Sequence, residues 1–465
     1  MGMPGVHEAV ELLRRGETTA RELVERSLTE IEARNGELNA FVHLDPDGAL
    51  AAADAVDATP PERRGPLAGV PFGVKDLQDC AGMPTTRASR WYADRGPVER
   101  DDISVGRLRS AGAIAVGKTA PPEFGAWAYT ASPLLGVTRN PWDVSRTPGG
   151  SSGGSAAAVS AGIVPFATAD DGGGSTRTPA GFTGLVGLKP CYGRIPTYAM
   201  THLAQNAASG ALTTTVADQA LLLDVMAGPH PADRTCLPAP AARYVDAIDT
   251  LDLRGLRACW SADLGFVVVD PEVAAICERA ARTLVEAAGM TWVDRDVPFD
   301  DHTGVYGRIE GVDMFVGHDP VLWQERLDEL DPLVAPGWRS AAGATLPKLA
   351  AVEEARERIV ARATEVFADV DVLLTPMTAI PAFAAEGPMP TEICGQRVHG
   401  GMSVAHGFLA NLVNLPAISV PAGVTADGLP VGLQVIGRRF REDVCLRLAR
   451  VLEQAAPWPR HAPPR

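Results

Sequence analysis

Two runs of glycine and serine carry the chemistry this chain could do. Gly149-Gly150-Ser151-Ser152-Gly153-Gly154 and Gly172-Gly173-Gly174-Ser175 both lie in the stretch Pro148 to Lys189, which reads PGGSSGGSAAAVSAGIVPFATADDGGGSTRTPAGFTGLVGLK. Glycine lets backbone approach a ligand closely and reach positive φ. Successive backbone N–H groups in such turns form anion-holding concavities. A serine in each run sets a hydroxyl where those donors converge, as acyl transfer requires for its developing oxyanion. The residues alone do not choose the nucleophile: glycine-serine turns are common, and Ser152 is as good a reactive hydroxyl as Ser151. None of the nine histidines lies in or beside either run, so a Ser–His–Asp arrangement is poorly served. The chain has no HExxH, no CxxC and no clustered histidine–carboxylate set, so neither a metal nor another cofactor is expected.

These nests need rigid elements to hold them. Thr147 to Gly154 reads as loop, Ser155 to Gly162 as a small-residue helix beneath the site, and Phe166 to Ala169 as a strand delivering the second nest. Upstream, residues 7–57 read as helices. Thr19 and Glu22 have capping-box spacing, Val24, Leu28 and Ile31 share one helical face, and Asn35-Gly36 reads as the stop. In a short strand, Val70, Phe72 and Val74 share one face and Lys75 falls on the other. Asp102 to Ser110 reads as helix, Ala113 to Val116 as strand, and Ala217 to Ala227 as helix. Pro229 to Pro240, with four prolines, reads as a surface connection. Glu353 to Phe367 reads as helix and Val370 to Leu374 as a buried strand. Ala417 to Val420 and Val431 to Ile436 flank the turn signal Asp427-Gly428, and Glu442 to Leu452 closes as a helix. Strands alternating with helices point to an α/β fold.

The same stretch resembles the signature of the amidase signature family, serine hydrolases with a Ser–Ser–Lys triad. The resemblance runs over almost the whole chain. It takes in Gly73-Val74-Lys75-Asp76, Asn140-Pro141-Trp142-Asp143 and Gly428-Leu429-Pro430-Val431-Gly432-Leu433-Gln434. It implies one compact domain over residues 1–465, with a central mixed β-sheet covered by helices on both faces, a core signature region at 70–195 and a variable pocket region at about 230–410. It also implies catalytic roles for Ser175 as nucleophile, Ser151 as bridging hydroxyl after a cis peptide bond, and Lys75 as base. An amine with an ordinary pKa of about 10.4 is a poor base at neutral pH, so burial must lower it. The backbone of Gly172, Gly173, Gly174 and Ser175 is expected to form the oxyanion hole, with Ser152 in a supporting hydrogen-bonding role. The chain departs from the commonest family form by placing Asp170 and Gly172 where threonines are usual. Arg177 and Asp171 read as braces of the second nest and Asp76 as structural. Trp127, Tyr129, His399 and His406 read as core or rim rather than acyl pocket.

The implied activity is hydrolysis of a carboxylic amide through an acyl-serine, linear amides first, with esters as side substrates. The rival is a glutaminase-type subunit of a tRNA-dependent amidotransferase. A more remote rival is a P-loop protein, because Gly112-Ala113-Ile114-Ala115-Val116-Gly117-Lys118-Thr119 matches GxxxxGK[ST]. Its four inner residues read as strand and Pro121-Pro122 follow closely, the wrong context for a phosphate loop. The expected partner is a small-molecule amide, with homodimerisation left open. A formal net charge of −15 argues against nucleic acid, and no run of about 18 apolar residues offers a membrane span. Seven unpatterned cysteines and an N-terminus without a signal-like region make the cytoplasm the expected location.

Overall fold

Alternation along two late strands divides the core into two layers. Val372 and Leu374 join Val431, Leu433 and Val435 on one face, against helices Pro271–Ala287 and Glu442–Ala455. Leu373 and Ile436 point to the opposite face, against helices Leu346–Asp369 and His406–Leu412. The protein is seen as a computed structural model describing residues 2–198, 205–316 and 325–463, side chains excepted at 314–316. Among these residues eleven strands form one sheet. They are β1 (Phe41–Leu44), β2 (Pro71–Lys75), β3 (Ile114–Thr119), β4 (Phe166–Asp171), β5 (Val186–Lys189) and β6 (Ala208–Thr213). The remainder are β7 (Arg257–Trp260), β8 (Thr291–Trp292), β9 (Val372–Pro376), β10 (Ala417–Val424) and β11 (Pro430–Gly437). Their spatial order is β1-β3-β2-β4-β6-β5-β10-β11-β9-β7-β8. The contacts β3–β2–β4 and β9–β7–β8 are parallel and the others antiparallel, so the sheet is mixed. The chain thus forms a single α/β domain with helices flanking a large central sheet.

Local rules explain most boundaries. Thr19 accepts the Glu22 N–H while the Glu22 carboxylate accepts the Thr19 N–H, the reciprocal cap expected from their spacing. The helix does not stop at Asn35-Gly36, however, but runs over Ala20–Leu38. Asn39 takes the left-handed cap at φ 50°, and Asn35 reaches past it to accept the Ala40 and Phe41 N–H groups. That bracing starts β1 inside a region read as purely helical. β3 likewise extends to Thr119, so the P-loop look-alike is mostly strand. Its Lys118 is buried, donating to the Gln78 carbonyl at 2.6 Å and Thr85 Oγ1 at 2.9 Å. Gly112 to Thr119 therefore makes no phosphate loop.

The helix Gly153–Ser160 is buried along its whole length and has no large side chain. A Cβ at Gly154 would sit 2.3 Å from the Ala120 nitrogen, so glycine is what lets this helix approach the end of β3. Among the described residues no helix is long and apolar enough to cross a membrane. All seven cysteines are free thiols.

Candidate active site

The ends of β2 and β4 and the loop before helix Gly153–Ser160 bring the predicted residues together. Lys75, last in β2, has no side-chain surface exposed. Its backbone N–H donates to Thr168 Oγ1 of β4 at 2.9 Å. Its Nζ donates to Ser151 Oγ at 2.7 Å and to Asp170 Oδ1 at 2.7 Å. Burial pushes the lysine below its ordinary pKa, and the Asp170 carboxylate opposes that lowering. Asp170, open as to role from sequence, is thus the ion-pair partner of the expected base.

The Gly150–Ser151 peptide is cis. A Cβ at Gly150 would fall 2.3 Å from the Trp127 carbonyl oxygen, so the chain is packed against that backbone. The neighbouring Ser152 is buried, donates its N–H to the Ser175 carbonyl at 3.2 Å and points Oγ at the Asp170 carbonyl, 3.4 Å away. Ser152 therefore ties the two nests together.

After β4, the chain turns through Gly172-Gly173-Gly174 to Ser175 around one carboxylate. Asp171 accepts from the Gly174 N–H at 2.7 Å and the Thr176 N–H at 3.2 Å. It also accepts from Arg177 Nε at 2.9 Å and Nη2 at 2.8 Å, and from Asn411 Nδ2 at 3.1 Å. Burial alone would raise the Asp171 pKa, but the Arg177 guanidinium, Lys189 and the Gly174 N–H hold it well below the usual carboxylate range. Arg177 in turn donates to Gln434 Oε1, the last residue of the late motif, and to Asn411 Oδ1 at 2.6 Å. Both charges are fully buried, so the turn is braced from β11 and helix His406–Leu412.

One expected donor is lost by this bracing. The Gly174 N–H is committed to Asp171 and cannot also face an oxyanion. The N–H groups of Gly172, Gly173 and Ser175 have no hydrogen-bond partner among the described residues. Gly174 instead supplies conformation: its φ is +111°, which a side chain rarely tolerates. Ser175 is half-buried, and its hydroxyl has no hydrogen-bond partner among the described residues.

Ser175 opens on a cavity of about 450 Å³ whose walls include Trp127, Tyr306, Trp338, Met389 and Phe408. Trp127 and His399 are among its lining residues, Trp127 packed against neighbouring apolar clusters and His399 exposed. Tyr129 is buried against Phe383, and His406 is buried with Nε2 2.8 Å from the Ala262 carbonyl. Two wall residues carried no sequence signal. Tyr306 and Glu310, one turn apart on helix Thr303–Val316, lie over the second nest. A Cβ at Gly173 would meet the Tyr306 hydroxyl at 2.1 Å, and one at Gly172 would meet Glu310 Oε1 at 3.3 Å. Glycine at 172, where a threonine is usual, leaves room for that carboxyl. Among the described residues no cluster of three His, Cys, Asp or Glu side chains could hold a metal ion.

The amidase family profile matches residues 22–305 and 327–446. The chain is 35% identical over 441 residues to an acylamidase of Rhodococcus erythropolis, covering 94% of this chain and 92% of that one. It is also 35% identical to a glutamyl-tRNA(Gln) amidotransferase subunit of Chloroflexus aggregans, covering 97% and 96% of the two chains. Among solved structures, a bacterial aryl acylamidase of the amidase signature family superposes with a TM-score of 0.91 at 28% identity, over 98% of this chain and 97% of that one.

Proposed function

The chain belongs to the amidase signature family, and from that premise we propose that it hydrolyses carboxylic amides through an acyl-serine intermediate formed on Ser175. The observation that carries this reading is the Lys75 amine 2.7 Å from Ser151 Oγ, in the fold where Ser175 opens on the cavity. Ser175 Oγ attacks the amide carbonyl and its proton passes through the Ser151 hydroxyl to the neutral Lys75 amine. The carbonyl oxygen becomes an oxyanion received by the N–H groups of Gly172, Gly173 and Ser175. As the tetrahedral intermediate collapses, the proton returns through Ser151 to the leaving nitrogen and the amine departs. Water, activated along the same path, then releases the acid and restores Ser175. Substrate choice falls largely to residues 303–311, 333–338 and 389–408, which supply much of the cavity wall.

A second reading, a glutaminase component of an amidotransferase, is favoured by the equal identity to the amidotransferase relative. Glutamine carries a carboxylate that needs a cationic partner, and among the described lining residues there is no lysine or arginine. The described cavity wall therefore favours amides that carry no carboxylate.

The test is a panel of aryl and alkyl amides followed by mass spectrometry, repeated with Lys75→Ala. General base catalysis is worth about 10²- to 10⁴-fold, so the variant should lose that much on amides. Activated esters should suffer less, because their leaving groups need no proton. A folded Lys75→Ala protein that hydrolyses its best amide at the wild-type rate would contradict the assigned base.

A further inference from the structure

We propose that Glu310 selects the substrate, so that the cavity takes amides whose apolar body carries an ammonium group. This rests on the amide-hydrolase reading of the same site. The placement is direct: Glu310 and Ser175 line one cavity, and Glu310 Oε1 lies against the first glycine of the nest that leads to Ser175. The carboxyl has little to satisfy it. Among the described residues its one hydrogen bond, from Asn206 Nδ2 to Oε2, is long at 3.4 Å, and Oε1 accepts none. Among the described residues that line the cavity there is no lysine or arginine. The cations behind the nest are already engaged, Lys75 with Asp170 and Arg177 with Asp171.

A carboxylate placed beside apolar walls is costly unless it is paired. An ammonium group on the ligand would supply that partner. The walls suit the remainder of such a molecule: the Tyr306 and Phe408 rings stack at 4.0 Å, and Trp127 and Trp338 also face the space. Aromatic faces favour a cation as well as a hydrocarbon. Burial, with Asp313 nearby, pushes the Glu310 carboxyl up to about 7, so an arriving ammonium group would draw it into its ionised form.

Binding and turnover separate this inference from the reading beneath it. Phenethylamine and 2-phenylethanol, similar in shape and different in charge, are titrated calorimetrically into the Ser175→Ala protein at pH 8. The amine should bind about 10- to 100-fold more tightly, the worth of a charge-assisted hydrogen bond. Adding Glu310→Gln should collapse that ratio to about 3-fold or less, and Glu310→Asp should restore part of it. In turnover, the wild-type enzyme should favour the aminomethyl derivative of an anilide over the parent, and Glu310→Gln should lose that preference whatever its absolute rate. Equal binding of amine and alcohol, or a preference that survives Glu310→Gln, would overturn the role of Glu310. Amine binding that depends on Glu310, in a protein that hydrolyses no amide, would support Glu310 and overturn the hydrolase reading instead.

Discussion

Replacing Asp170 by asparagine should move the acid limb of the pH–rate profile to lower pH. Burial lowers the Lys75 pKa, and the Asp170 carboxylate, 2.7 Å away, resists that lowering by favouring the ammonium form. Only the neutral amine can accept the Ser151 proton. Below the folded lysine pKa, kcat/KM therefore follows the neutral fraction. Asparagine keeps the size and an acceptor oxygen but removes the charge, so that fraction rises at any given pH. For unit charges about 4 Å apart at an effective dielectric constant of about 20, the ceiling on the effect is near 4 kcal/mol. The Asp170 side chain is 28% exposed, and water screening reduces the expected change to about 1–2 kcal/mol. At about 1.36 kcal/mol per tenfold, kcat/KM on the acid limb should rise roughly 5- to 30-fold. The plateau at high pH should fall modestly, because a less basic amine is a weaker proton acceptor. The assay is initial-rate hydrolysis of an anilide across the acid limb and plateau, with the released aniline quantified by chromatography. An acid limb that stays in place while kcat/KM falls at every pH would refute the electrostatic argument. Asp170 would then only hold Lys75 in position.

Other consequences follow from the buried network. Asp171→Asn breaks a fully buried ion pair and should cost about 3–5 kcal/mol in urea unfolding, and a loss below about 1 kcal/mol would show the turn is braced otherwise. Because the folded Asp171 pKa is depressed, its stabilisation is present above the ordinary carboxylate pKa of about 3.9 and is lost only as pH falls through the folded value, so the mutational difference should stay flat from about pH 6 to 8. Activity should survive prolonged dialysis against a chelator; restoration of a lost activity by zinc or manganese would overturn the metal-free mechanism. Magnesium–ATP should leave the melting temperature unchanged, since Lys118 is spent on Gln78 and Thr85 within the core. A saturable stabilisation abolished by Lys118→Ala would contradict that.

What the sequence made legible was local or motif-borne. Each nest spans a few residues, the capping box at Thr19 and Glu22 is a four-residue pattern, and Arg177 and Asp171 sit beside the serine they brace. The pair formed by Lys75 and Asp170 was not legible, because it joins the ends of separate strands 95 positions apart. Asp170 could be marked only as a departure from the usual threonine. Asn35-Gly36 looked like a helix stop because asparagine and glycine favour turns, but Asn35 does its capping through its side chain beyond the helix end. Glu310 and Tyr306 lie on a helix with no motif, and only the packing of that helix over the second nest gives them meaning. The committed Gly174 N–H was hidden for a similar reason: a glycine run announces donors without saying which ones a nearby carboxylate has taken.

The central claim is that Ser175 is the nucleophile, and covalent labelling tests it most directly. The protein is treated with an aryl fluorophosphonate, digested and mapped by mass spectrometry, alongside Ser175→Ala, Ser151→Ala and Ser152→Ala. A single adduct on the peptide bearing Ser175, absent from Ser175→Ala, is the predicted result. An adduct on Ser151 or Ser152, with Ser175→Ala still hydrolysing amides, would contradict the account.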